Sequence, residues 1–407
     1  MFSSFLKVTS FYTDYLKNYY GLYPMVIDRT YEEQFRHLMG EGYGYADFFP
    51  RYLEKNYSFK AREIIHNATF LQEAWARENG SKLSGDELLL EQIAAHQPEV
   101  LMIQDSINFS AEFIGRIREK VKSVRLLIGH CCSPYTSLNL KAFGKYDLML
   151  TCSEKFRAEL SRAQIRCYHF PHAVEASLLT EISREDTVSG DIIFIASFLY
   201  RNEFHRKRIA YVEEILKNDL PLKMYGVLEE DPWLKLKMKQ AAYMYVKSAG
   251  LLGMKGYLNN PSLRKIAQLK ELPVRSRYST AIKSTLREDL LFGRKMLTEI
   301  SRHAVGFNLH GEVAGEYAAN VRMFEVAGAG ALLVTDHMKN IRNLYEPDSE
   351  ILTYNSMEEC IEKLRWALEN PLEAREIAIK GQMRTLKDHT VEKRVDQLYD
   401  ILKKEFS

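Results

Sequence analysis

Cysteine is scarce: Cys131, Cys132, Cys152, Cys167 and Cys360 are the five in 407 residues. The number is odd and no C-x-x-C spacing occurs, which argues against a disulfide framework and against a zinc site. No apolar run approaches the roughly 18 residues of a membrane span. Glycine and proline, 21 and 11 residues, are too few for a collagen-like or linker-dominated chain. The opening stretch MFSSFLKVTSFYTDYLKNYY has no basic leader, no uninterrupted apolar core and no small-residue cleavage signal, so it reads as folded structure. No acidic D-x-D metal motif occurs, and no nucleic-acid-binding module is recognisable. The expectation is a soluble, reduced, cytoplasmic globular protein with no metal and no nucleic-acid partner.

What is present is length enough for two domains, each able to bury its own core. In the first half, apolar runs at Phe5–Thr9, Ala61–Ile65, Val100–Gln104, Arg125–Ile128, Asp147–Thr151 and Cys167–Phe170 alternate with amphipathic stretches such as Gly85–His96 and Glu154–Arg162. Buried parallel strands separated by helices have this pattern, so a doubly wound α/β fold is expected. The pattern breaks after Pro171–Val174 in a polar stretch and restarts at Asp191–Ser197. Strand candidates continue at Leu222–Tyr225, Ala304–Leu309, Ala331–Thr335 and Ile351–Tyr354. Helical spacing covers Phe204–Lys217, Asp289–Arg302, Asn320–Ala329, Met357–Glu369, Leu372–Leu386 and Val391–Lys404.

The expected organisation is therefore a Rossmann-like domain over 1–173, a linker over 174–190, a second Rossmann-like domain over 191–387 and a C-terminal helix over 388–407. The net charge of +2 hides an asymmetry within the second domain. Lys235–Arg287 holds twelve Lys or Arg and one acidic residue, Glu271, inside a helical insert spanning 228–287. Such a patch admits three readings: a solvated helical face, a dock for anionic lipid headgroups, or a holder of an anionic acceptor.

Chemistry concentrates in Ser301–Asp336, SRHAVGFNLHGEVAGEYAANVRMFEVAGAGALLVTD. It reads as strand, Gly-containing loop, helix from near Tyr317, and strand. Ligands of doubly wound sheets bind at the carboxyl ends of strands, where helix N–H groups suit phosphate. Arg322 offers a bidentate donor to phosphate oxygens, and Glu325, one turn on, can accept from ribose hydroxyls. The alternative is an ordinary i,i+3 ion pair. After Asp191–Ser197 comes a second basic cluster containing Arg201, Arg206 and Arg208. A departing diphosphate would need such cations, whereas a solvated helix start is the plain alternative.

Several motifs tie this segment to a known group. They are G-x-x-M-x-x-x-I/L at Gly293–Leu297 with Ile300, F-N-L-H-G at Phe307–Gly311, N-x-R-x-F-E-x-x-G-x-G at Asn320–Gly330, and G-Q-x-R-T-L-x-D-H-T ending at Thr390. The chain resembles bacterial glycosyltransferases related to the spore-maturation family. The resemblance implies the two-Rossmann GT-B fold, with the acceptor bound by the first domain and a nucleoside diphosphate sugar by the second. It implies that Glu325 holds the donor ribose, with Asn308, His310, Glu312 and Asn320 in the donor loop. The E-x7-E pattern of many retaining relatives would start at Tyr317, one residue from Glu316, so retention or inversion stays open.

On the acceptor side, Gly42-Tyr43-Gly44-Tyr45 combines tight backbone approach with rings able to stack on sugars. Asp47 is a candidate general base or a helix N-cap. His130, ending the RLLIGH run, and His172, entering the linker, are candidates for the cleft or for structural hydrogen bonding. The implied activity is metal-independent sugar transfer to a hydroxyl of a glycan, lipid-linked or protein acceptor, needing no cofactor beyond the donor. It would take place in the cytoplasm or on the inner face of the membrane. A sugar-nucleotide epimerase or a non-catalytic sugar-nucleotide-binding protein of the same fold are the rivals.

Overall fold

The computed structural model describes residues 2–180, 182, 189–198, 203–228, 232–253, 263, 266, 272–273, 278–287, 289–311 and 315–406. The first six strands are β1 (Ser4–Thr9), β2 (Lys60–Ile65), β3 (Val100–Ile103), β4 (Leu126–His130), β5 (Leu148–Thr151) and β6 (Cys167–His169). The second six are β7 (Ser189–Ile195), β8 (Leu222–Tyr225), β9 (Leu286–Arg287), β10 (His303–Asn308), β11 (Leu332–Asp336) and β12 (Leu352–Tyr354). They form two parallel six-stranded sheets in the orders β2-β1-β3-β4-β5-β6 and β12-β11-β10-β7-β8-β9. All strands expected from apolar runs are present. The two-residue β9 has no run long enough to signal it.

Helices Gly85–His96, Glu154–Arg162 and Met357–Glu369 have the expected limits. Two starts differ: the helix before β10 begins at Gly293, not Asp289, and the helix after β10 begins at Arg322, not near Tyr317. The intervening backbone is committed sideways. Ala318 N donates to Asn340 Oδ1 at 2.6 Å, Asn340 Nδ2 to the Ala318 carbonyl at 3.1 Å, and Lys339 N to the Glu316 carbonyl at 2.9 Å. Groups held by a neighbouring loop cannot close helical turns.

By its contacts the chain divides into two units. One comprises Met1–Phe194, Leu220–Lys223 and Asp289–Ser407; the other comprises Ile195–Asp219 and Met224–Glu288. The second unit contains helices Glu203–Lys217, Trp233–Leu251 and Thr280–Thr285. The Tyr278 hydroxyl donates to the Phe198 carbonyl there. No described helix is long and apolar enough to cross a membrane.

In the first unit, Leu6, Val8, Leu101, Ile103, Leu127 and Met149 form one core with Ile93, Ile114, Ile117 and Leu160 from the covering helices. Within this apolar sheet sits one ion pair. Lys7 on β1 is in register with Glu63 on β2, and Lys7 Nζ lies 2.9 Å from Glu63 Oε1, the two side chains being 1% and 0% exposed. Burial pushes the Glu63 carboxyl up, with the ammonium of Lys7 pulling it back.

The C-terminal motif recognised in the sequence is a packing device. Gln382 Nε2 donates to the Gly328 carbonyl at 2.8 Å, Thr385 Oγ1 meets the Tyr345 hydroxyl at 2.8 Å, and His389 Nε2 donates to the Leu344 carbonyl at 2.9 Å. The chain then bridges at Thr390 to Val174, with Val174 N donating to the His389 carbonyl and Val391 N to the Val174 carbonyl, both at 3.0 Å. The last helix, Val391–Phe406, returns to the first sheet. There Tyr57 stacks on Tyr399 at 3.8 Å, the Tyr57 hydroxyl donates to Asp396 at 2.7 Å, and Arg166 pairs with Glu405 at 2.8 Å.

Two outcomes are expected from this packing. Lys7→Met leaves Glu63 buried without its cation and should lower the unfolding free energy by about 3–5 kcal/mol. Lys7→Met combined with Glu63→Leu should recover most of that in denaturant titrations. His389, buried against Phe324 and Tyr345, has its pKa lowered by burial to about 4 from 6.5. Between those values the unfolded chain binds the proton more readily, so His389 contributes its full stability above about pH 6.5 and loses it as pH falls through about 4. The stability difference between wild type and His389→Gln should therefore shrink on acidification, by at most about 1.4 kcal/mol per pH unit.

Candidate active site

The carboxyl end of β1 is built around Asp105, which follows β3. Asp105 Oδ2 accepts from Ser10 N at 3.0 Å and from Ser10 Oγ at 2.7 Å. Asn67 exchanges two bonds with the Phe11 backbone, at 2.9 and 2.7 Å. The turn so fixed presents Tyr12, which is 74% exposed. Its hydroxyl pKa is nonetheless raised, by surrounding protein first and then by Asp105, with Arg322 opposing and Glu325 adding.

Tyr43 stacks on Tyr15 at 3.8 Å and meets Phe11 and Phe292 edge-on at 5.0 and 5.4 Å. Burial raises its hydroxyl pKa, and Tyr12, Asp105 and Glu325 add to it. One face of this ring is thus occupied by protein. Gly42 packs on Leu178, where a Cβ would come within 2.7 Å, while Gly44 is exposed. The loop is seated by Gly293, whose φ of +49° and whose position, with a Cβ only 2.5 Å from the Glu41 carbonyl, leave room for no other residue.

Tyr45 also points inward. Its hydroxyl bonds His172 Nδ1 at 2.7 Å and accepts from Ala173 N at 3.3 Å. Burial opposes charge on His172, but Cys132 and the Glu325 carboxylate raise its pKa above the usual value. His130 is buried, with Nε2 3.2 Å from Cys132 Sγ. Asp47 occupies the N-cap of helix Phe48–Tyr57 without a side-chain cap bond, and pairs instead with Arg51 at 2.8 Å.

Across from these groups lies the helix Arg322–Ala329. Arg322 Nη1 is 2.8 Å from Glu325 Oε2, an i,i+3 pair with side chains 23% and 16% exposed. The pair lacks hydrogen-bond alignment, since Oε2 is buried without a hydrogen-bonding donor. Arg322 also contacts Met296 Sδ. The i,i+3 pair weighed as the plain alternative does form, yet it is largely enclosed, and it lies within electrostatic reach of Tyr12.

The loop behind this helix is held by buried polar bonds. Asn308 Nδ2 donates to Thr335 Oγ1 and Asn320 Nδ2 to Asn308 Oδ1, both at 2.8 Å, and the Tyr354 hydroxyl donates to the Asn308 carbonyl at 3.0 Å. Asn308 and Asn320 are thereby spent on positioning the loop. His310 is pinned through N and Nδ1 to Asp336 Oδ1 at 2.9 and 2.8 Å, while its Nε2 is buried without a hydrogen-bond partner.

Of the residues singled out in the sequence, Tyr43, His172, Arg322 and Glu325 come together here. Arg206 and Arg208 lie on helix Glu203–Lys217 in the second unit. Arg201 and Glu312 lie outside the described residues. Tyr12, Asp105, Cys132 and Cys152 escaped sequence reasoning. Their one available signal is position, each lying one or a few residues beyond the carboxyl end of an apolar strand.

Residues 262–400 match a family model described as glycosyl transferase-like. No curated protein matches the chain. Among solved structures, sucrose-phosphate synthase from Thermosynechococcus elongatus is 10% identical with a TM-score of 0.55, covering 99% of each chain. Anabaena Alr3699/HepE in complex with UDP-glucose is 9% identical with a TM-score of 0.56, over 98% of this chain and 99% of that one. A glycosyltransferase from Rickettsia africae ESF-5 is 9% identical with a TM-score of 0.50, over 99% and 98%. The fold is thus the GT-B fold of two Rossmann-like sheets.

Proposed function

We propose that this chain is a glycosyltransferase that moves a sugar from a nucleoside diphosphate sugar to an acceptor hydroxyl. The observation that carries the reading is the meeting of Tyr12, Tyr43 and His172, from the carboxyl edge of the first sheet, with the Arg322–Glu325 pair. Groups meeting there would orient two substrates toward each other. The match over 262–400 to a glycosyl transferase-like family supports the activity. The Anabaena complexes with UDP and UDP-glucose support a uridine diphosphate sugar as donor. The motifs around Phe307–Gly311 and Asn320–Gly330 support kinship with the spore-maturation-like enzymes.

Glu325 accepts from the donor ribose, and Arg322 with the first N–H groups of its helix stabilises the departing diphosphate in place of a D-x-D-held cation. His310 Nε2, buried and lacking a hydrogen-bond partner, is available to a donor oxygen. We assign the general base to Asp105 at the β3 edge, whose carboxylate is oriented by Ser10 beside the exposed Tyr12. The acceptor is a surface or lipid-linked glycan, met at the inner face of the membrane. Helix Trp233–Leu251 supports this, carrying exposed Trp233, Leu234 and Met238 among Lys235, Lys237 and Lys239.

Glu325→Gln should weaken binding of UDP-glucose about 10–100-fold by calorimetry, the loss of a hydrogen bond to a charged group. Asp105→Asn should lower kcat by about 10²–10⁴ with donor affinity kept. Unchanged donor affinity in the first variant removes this site. In sedimentation with liposomes, the protein should follow anionic vesicles and be released by salt; indifference to lipid charge removes the membrane role.

A further inference from the structure

The sequence spacing argues against zinc, but the fold assembles ligands that spacing does not reveal. Cys132 and Cys152 follow the neighbouring strands β4 and β5, in which His130 is in register with Leu150. The two cysteines therefore stand side by side, and Cys152 N donates to Cys132 Sγ at 3.2 Å. His172 follows the next strand, β6. The Sγ atoms of Cys132 and Cys152 and a ring nitrogen of His172 all lie within 4.8 Å of one another. No disulfide joins the cysteines.

We propose that Cys132, Cys152 and His172 form a Zn²⁺ site with three protein ligands and a fourth position open to water. Two thiolates and an imidazole are the donor set that selects zinc among common cellular divalent ions. Ligand atoms of tetrahedral zinc stand about 3.3–3.8 Å apart, so the three donors need to close by about 1.5 Å at most. The supporting contacts of such a site are in place. Tyr45 holds His172 Nδ1 at 2.7 Å and is itself fixed by Ala173 N, which leaves Nε2 as the coordinating atom. His130 Nε2 stands 3.2 Å from Cys132 Sγ, placed to donate to a thiolate. Cys152 is buried, and Cys132 and His172 are half-buried. Two thiolates balance the ion's charge, and binding releases their protons.

The inference does not rest on the glycosyltransferase reading, and its test measures no transfer. The full chain, stripped with chelator and kept reduced, is titrated with Co²⁺ and then with Zn²⁺. One equivalent of Co²⁺ should give a thiolate charge-transfer band and the intense visible absorption of a tetrahedral site, both bleached by one equivalent of Zn²⁺. About two protons should leave per ion at neutral pH. Cys132→Ser and Cys152→Ser should each lose more than about 100-fold in affinity, beyond what supporting residues contribute. Tyr45→Phe, which keeps the ring, should lose about 10–100-fold. Cys131→Ser should bind as wild type, because Cys131 Sγ turns away toward the Ser133 carbonyl at 3.3 Å. The wild-type spectrum decides the matter even if a cysteine variant fails to fold. Absence of the charge-transfer band, or its persistence in folded Cys132→Ser, overturns the site.

Discussion

The first unit depends on the place where the chain crosses twice between its sheets. Outbound at Val174 and returning at Thr390, the two segments are bonded to each other as a parallel bridge rather than left as separate tethers. Neither segment can shift without breaking two backbone bonds in a buried setting, where unpaired groups are costly. His172 lies two residues before this bridge, so its position is inherited from it. The helix Arg322–Ala329 is docked against the same place: a Cβ on Gly328 would sit 3.0 Å from Leu179, 3.2 Å from Val174 and 3.3 Å from Thr385. The bridge thus sets the spacing between His172 and Glu325, which come from opposite sheets.

The Arg322–Glu325 pair gains its meaning from that enclosure. An exposed i,i+3 pair contributes only a few tenths of a kcal/mol and is screened by salt. Here both side chains are largely enclosed, and the Glu325 carboxylate bears on Tyr12, Tyr43 and His172 at the edge of the first sheet. In the proposed function, a diphosphate entering this space competes for the guanidinium. A carboxylate relieved of that pair then needs a donor, and a ribose hydroxyl is one.

How much of this was legible in the sequence follows from how local each feature is. Strands buried on both faces announce themselves as apolar runs, as at Val100–Ile103 and Leu332–Asp336, so both sheets could be read directly. The start of the helix at Arg322 could not, because Asn340, twenty-two residues away, holds Ala318. The same holds for the thiol–imidazole cluster, whose members come from three strand ends and share no spacing rule. Asp105 shows only as one acidic residue after an apolar run. The G-Q-x-R-T-L-x-D-H-T motif was legible as resemblance, but its chemistry is packing: Gln382, Thr385 and His389 each bond a neighbouring element.

The Gly42–Tyr45 loop is engaged in packing that its composition does not show. Two tyrosines among glycines suit sugar stacking, yet Tyr43 offers one face to Tyr15 and Tyr45 spends its hydroxyl on His172. The aromatic edge is used first to join the loop to Phe292 and Gly293 at the opposite helix. Tyr12, held out by the Ser10–Asp105 and Phe11–Asn67 bonds, is the ring left open toward solvent. In the proposed function, an acceptor sugar entering beside Asp105 would meet Tyr12 before either tyrosine of the loop. The Asp105 carboxylate beside it is already oriented by Ser10, through both its backbone N–H and its hydroxyl, so a base there would need no reorganisation.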